Sequence, residues 1–236
     1  MRLYYDFHIH SALSPCADDD MTPNNIVNMA CLKGLDAIAV TDHNAAGNVR
    51  AVTRAAEGKN LIVIAGMEIE TAEEVHVLSL FPSVFAAETA EAEVQARLPR
   101  LQNDSAIFGR QLLFDENDRV TAEEPRLLIT AAALSIAEVF ALVRRLGGLP
   151  VAAHIDRDSY SVLSNLGGIP EELGAVTVEI SRAVEHPEEY LLPRPELRGC
   201  KIMRNSDAHR LGDLSERVNS VTTDGNSAAD LLRAFG

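Results

Sequence analysis

His8 and His10 stand one residue apart at the end of the apolar run "YYDFHIH", and Cys16, Asp18, Asp19 and Asp20 follow shortly after. Two imidazoles, a thiol and three carboxylates are ligand types for divalent metal. Further such groups collect at the ends of other apolar runs. Asp42 and His43 follow "DAIAV" in "TDH", Glu68 and Glu70 end "IVIAGMEIE", and His76 sits in "EEVHVLSLF". His154 ends "LPVAAH", Glu179 ends "AVTVE", and Asp207 and His209 follow "GCKIM" in "NSDAH". Of the seven histidines, six fall on or just after such a run; only His186, in "VEHPEEY", does not. Singly, each has an ordinary structural reading. Asp42 alone reads as a helix cap, and joint ligation by His8 and His10 is expected to need the strand to twist or end there. Together they point to a metal centre, because independent structural histidines would also scatter over helices and loops.

The apolar runs read as strands and alternate with helical patterns. "TPNNIVNMACLKGL" has Thr22 as N-cap and Pro23 in the first turn. "NVRAVTRAAEGK", "PSVFAAETAEAEVQARLPRLQ", "SIAEVFALVRRLGG" and "SAADLLRAF" read as further helices, and "NSVTTDG" as a short late strand. The alternation predicts parallel strands with helical crossovers. A closed or nearly closed barrel is the first expectation and a doubly wound sheet the second. In a barrel, working residues gather at the strand C-termini. Residues 1–236 are expected to form one domain, with an irregular insertion at about 103–130 of the kind that often carries function.

The formal charge is −14 and 47% of residues are hydrophobic, enough for a sizeable core. Such acidity argues against long nucleic acid as a partner, while bound cations would still admit a small anionic substrate. Three cysteines, Cys16, Cys31 and Cys200, make no disulfide framework. With no signal-like or membrane-length apolar stretch, a cytoplasmic location is expected.

In order, "HIHSALS", "TDH", "GMEIE", "EVH", "AAHID" and "NSDAH" resemble the motifs of the PHP family, the polymerase and histidinol phosphatase domain. The resemblance runs from about Asp6 to His209. It implies a distorted seven-stranded β/α barrel with two or three divalent metals, zinc, manganese or iron, at the strand C-termini. It also implies phosphoester hydrolysis by a hydroxide bridging two metals. Carried over, His8, His10, Glu68 and Asp207 would hold one ion, and Glu68 would be shared with a second held by His76 and His154. A third would be held by His43, His209 and a loop residue. Counting back from "TP" gives Asp18, which is preferred; counting forward from His8 gives Cys16 as rival. Arg157 is the first candidate to clamp a phosphoryl group, before Arg182 and Arg204. Asp207 or His209 would carry a proton to the leaving oxygen, and Asp6 and Asp42 would orient ligand imidazoles. The expected substrate is a small phosphomonoester or nucleotide. The alternatives are an exonuclease, or a metal-binding regulatory domain without turnover.

Overall fold

The computed structural model describes residues 1–236. Ten strands form: β1 (Arg2–Ile9), β2 (Ala37–Val40), β3 (Ile62–Glu70), β4 (His76–Phe81), β5 (Leu112–Phe114), β6 (Val120–Glu123), β7 (Leu149–Ala152), β8 (Thr177–Glu179), β9 (Lys201–Met203) and β10 (Ser220–Thr222). The α-helices are α1 (Pro23–Leu32), α2 (Val49–Ala55), α3 (Val84–Gln95), α4 (Ser105–Phe108), α5 (Ile136–Arg145), α6 (Val162–Leu166), α7 (Pro187–Leu191) and α8 (Ala228–Phe235). The main sheet runs β10-β1-β2-β3-β4-β7-β8-β9. Its seven strands from β1 to β9 curl into the distorted barrel expected, and β10 adds an antiparallel edge to β1. No helix is long and apolar enough to cross a membrane.

Among the seven barrel strands, one departs from the parallel expectation. β4 is antiparallel to both β3 and β7. Only five residues, Thr71 to Val75, join β3 to β4, which makes a hairpin and is too short for a parallel crossover. His76 therefore opens its strand, paired in register with Glu70, and reaches the same barrel end as the strand C-termini.

The barrel interior is filled by Tyr5, Phe7, Ala39, Ile64, Leu78, Leu80, Val151 and Met203, and α8 seals its lower end with Leu231 and Phe235. The helices pack on the outer faces, as Ile26, Val27 and Val52 do against Ile9, Ile38 and Val40. The register between β1 and β2 shifts between Asp6 and Ile9. Such an extra residue reverses which side chains face inward. Phe7 fills the interior, Ile9 faces α1, and His8 and His10 turn to the mouth. Residues two apart share a strand face without any twist, so the expectation stated for the His-x-His pair is replaced by this bulge.

β9 and β1 close the barrel without a regular ladder. Asn205 Oδ1 accepts from the Phe7 amide at 2.8 Å, and Ile9 and Ala208 form an isolated parallel bridge. Asp6, fully buried, accepts from the amides of Ser206 (3.0 Å) and Ser215 (2.8 Å). Asp6 therefore fastens the seam and orients no imidazole, which corrects the expectation for it. Asp6→Ala leaves two buried amides without partners at about 1–3 kcal/mol each. A fall in Tm of roughly 4–12 °C is expected for about 2–3 kcal/mol in a chain of this size; an unchanged Tm by calorimetry would refute the role.

Residues 103–130 are more regular than the sequence suggests, containing α4 and the β5–β6 hairpin. The hairpin docks beside the mouth. Leu112 N donates to Ala12 O at 2.7 Å, and Asn48 binds the Leu112 carbonyl and the Phe114 amide at 2.9 Å each. The helix expected to reach Gln102 stops at Gln95, ahead of Pro99, which disfavours helix in the residue before it.

Candidate metal centre

The inward faces of β3 and β4 are apolar at Ile64, Leu78 and Leu80 and become Glu68 and His76 at the mouth. Glu68 is the hub. Its carboxylate, 1% exposed, lies 3.3 Å from His8, 3.4 Å from His10, 3.2 Å from His43, 3.0 Å from His76 and 3.1 Å from His154. Asp207 Oδ1 lies 3.3 Å from His8 Nε2, 3.2 Å from His10 Nε2 and 3.6 Å from His209 Nδ1. Six histidines and two carboxylates converge, and three trios have ligand atoms all within 4.8 Å: His8, His10 and Asp207; His43, Glu68 and His76; His10, His43 and His209.

The hydrogen bonds behind these residues fix which ring nitrogens face inward. His8 Nδ1 donates to both oxygens of Glu179 at 3.0 Å. Glu179 also accepts from Asn205 Nδ2 at 2.7 Å and from the His154 amide at 2.9 Å. His10 Nδ1 donates to Ser14 Oγ at 2.9 Å, and Ser14 donates on to Asp42 at 2.7 Å. Asp42 is fastened further by the Ser11 amide and hydroxyl, so it acts on His10 through Ser14. With both Nδ1 atoms spent as donors, the Nε2 atoms of His8 and His10 face each other at 3.2 Å as lone pairs. Asp207 Oδ1 and His43 Nδ1 stand in the same cluster, buried and without hydrogen bonds.

Facing lone pairs and unpartnered carboxylate oxygen are costly unless a cation lies among them. The nitrogen and oxygen donors suit zinc, manganese or iron, so the residues fit a divalent metal. The electrostatics show the negative field that a proton or a cation would answer. Burial works against charge on His8, yet Glu179, Asp207 and Glu68 hold its pKa well above the usual value. Burial and neighbouring His209 bring His10 down to about 4, and burial with His10 holds His43 well below its usual value. Burial opposes ionisation of Glu68, but His76, His8 and His154 outweigh it and keep the carboxylate ionised. Burial pushes Asp42 up to about 7 against the hydrogen bonds from Ser11 and Ser14.

Two sequence candidates belong to none of the three trios. The Asp18 amide donates to the His209 carbonyl at 3.0 Å, but its half-exposed carboxylate is drawn 3.5 Å from Arg210 Nε. Cys16 is an exposed residue whose thiol is pushed up to about 12 by desolvation and the charges of Glu68, Asp207 and Asp42. Of the three arginines, Arg157 reaches the centre and pairs with Asp207 Oδ2. Arg182 binds Asp213, and Arg204 binds the carbonyls of Ser181 and Val184. Sequence reasoning missed the roles of Glu179, Ser14 and Asn205. The only signal for Glu179 was its place at a strand end.

The PHP domain family matches residues 6–149, and the chain belongs to that family. A curated relative, an uncharacterised protein of Methanocaldococcus jannaschii, is 30% identical over 161 residues. That stretch is 68% of this chain and 17% of the relative, so the chain spans under a fifth of that protein. The lesion-specific endonuclease PfuEndoQ from Pyrococcus furiosus shares the fold at a TM-score of 0.72 and 17% identity, over all of this chain and 56% of that one. A proposed metal-dependent phosphoesterase from Bifidobacterium adolescentis does so at 0.61 and 21%, over 91% of each chain.

Proposed function

We propose that this chain is a metal-dependent hydrolase of phosphoesters that acts at the Glu68 centre. The observation that carries the reading is the pair of facing Nε2 lone pairs of His8 and His10, 3.2 Å apart, set beside Asp207 and Glu68. Among folds of this family the reading is supported by the phosphoesterase and endonuclease similarities. His8, His10 and Asp207 would hold one ion; Glu68, His76 and His154, with His43 beside them, a second; His43 and His209 a third. When bound, divalent metal supplies the charge that acidifies a water ligand and neutralises phosphoryl oxygens.

The chain's own groups do the rest. Glu68 and Asp207 keep the cluster anionic enough to gather cations. Arg157, 47% exposed at its side chain and resting on Asp207, orients the phosphoryl group from the rim. His209 Nδ1 donates to the Asp207 carbonyl at 3.0 Å. This leaves Nε2 of His209, the most exposed imidazole of the cluster, as the nitrogen that would hold the third ion with His43, and an atom so engaged carries no proton to the leaving oxygen. The expected substrate is a small phosphorylated molecule. The expectation that acidity excludes long nucleic acid finds no support, since one protein of similar fold is a DNA lesion endonuclease, and DNA stays a candidate substrate.

Protein purified without chelator is expected to carry two or three transition-metal ions per chain by elemental analysis. It should hydrolyse an aryl phosphate, a nucleotide or an oligonucleotide once the metal is replete. Chelation should lower Tm, since an ion at 100 times its Kd adds about 2.7 kcal/mol. Less than one ion per chain after Mn²⁺ or Zn²⁺ is added back, or a metal-replete protein inert on every phosphoester class, would overturn the reading.

A further inference from the structure

The loop after β7 carries three groups at the mouth: His154, Arg157 and Tyr160. Tyr160 lies flat on His76, with ring centroids 4.8 Å apart and planes at 29°, while 44% of the residue remains exposed. Its backbone has φ of +55°, in the left-handed region that a bulky residue adopts only at a cost of about 1–3 kcal/mol. That conformation is held from both sides. The Tyr160 carbonyl accepts from the His76 amide at 3.0 Å, and the Ser161 hydroxyl donates to the Arg157 carbonyl at 2.9 Å. A solvent-facing tyrosine held in a strained conformation over a candidate ligand is unnecessary for packing, since no apolar core cluster includes it. Arg157 and Tyr160 rest on different members of the cluster: Arg157 on Asp207, beside His8 and His10, and Tyr160 on His76, which Glu68 links to His8.

We propose that Tyr160 is a stacking platform for a planar heterocycle attached to the phosphoester, so that the substrate is a nucleotide, free or at a strand end. This rests on the hydrolase reading above, and it narrows the substrate class of the same site. A phosphoryl group near Arg157 and Glu68 leaves the nucleoside to extend across the mouth, where the tyrosine face offers a sequence-tolerant contact. Stacking of a base on an aromatic side chain contributes about 1–3 kcal/mol, or roughly 5- to 150-fold in affinity. Tyr160 is a specificity residue in this account.

The test is calorimetric binding to metal-loaded protein, with KM taken wherever the ligand is turned over. The probes are adenosine 5′-monophosphate, ribose 5-phosphate and a short 5′-phosphorylated single strand. Wild type is expected to bind the adenosine compound at least about fivefold more tightly than the sugar phosphate. Tyr160→Ala should bring that ratio close to one by weakening only the base-bearing ligand, and Tyr160→Phe should keep it. Preference for the strand over the mononucleotide would assign the ring to a nucleic-acid end, and the reverse to a free nucleotide. A wild-type ratio near one, no measurable binding of either base-bearing probe, or equal weakening of all ligands with loss of metal in Tyr160→Ala would overturn the proposal. In the last case the tyrosine serves only to hold His76. A failed turnover screen with the binding ratio intact would count against the hydrolase reading and leave the stacking platform standing.

Discussion

Glu68→Ala is expected to abolish turnover, reducing kcat by at least about 10³-fold, or roughly 4 kcal/mol on the barrier at 1.36 kcal/mol per decade. The reason is geometric. Five imidazoles converge on this one carboxylate at 3.0–3.4 Å, so its loss removes one member of a trio and the contact that at least one histidine of each other trio makes. Elemental analysis should show at least one ion lost per chain, and circular dichroism should show the barrel intact. The interior below Glu68 is packed by Ile64, Leu78 and Leu80 without its help. A folded Glu68→Ala protein with wild-type turnover and full metal would rule out the hub role.

Glu179→Gln is expected to be the most damaging substitution among residues that hold no metal themselves. Glu179 is 1% exposed and surrounded by donors alone: His8 Nδ1, Asn205 Nδ2 and the His154 amide. A glutamine keeps the shape but turns an NH₂ against one of those donors and removes the charge that fixes the His8 tautomer. Groups behind a ligand histidine are worth 10–100-fold in metal affinity, and breaking a buried charged pair costs about 3–5 kcal/mol. Metal affinity by competition with a chromogenic chelator should fall by that factor, and Tm should fall by roughly 6–12 °C for about 3 kcal/mol. Since Asn205 also ties the β9–β1 seam through the Phe7 amide, the same substitution loosens barrel closure. Unchanged affinity together with an unchanged Tm would show that His8 is oriented by something else.

The strands, the barrel and most of the centre were legible in the sequence because they rest on local chemistry. Apolar runs with β-branched residues specify buried strands, and ligand residues announce themselves by type at the ends of those runs, as in "HIH", "TDH" and "NSDAH". The reversal of β4 was implicit in the five-residue link after Glu70, yet the alternating pattern hid it. The bulge in β1 depends on pairing with β2, so no reading of β1 alone shows why Phe7 and His8 both point inward. Asp6 and Asp42 look alike in the sequence, each a buried acid two residues or fewer before a histidine. Contacts about 200 residues away make Asp6 a seam fastener, while Ser14 makes Asp42 a support for His10. Asp18 was favoured by counting along the chain; its amide does meet the His209 carbonyl, and its carboxylate pairs with Arg210. What the sequence by itself determined was the residue types able to bind metal and the strands that carry them. The tertiary structure alone decided which lone pairs meet, since hydrogen-bond partners brought from distant segments set each tautomer and each side chain's direction.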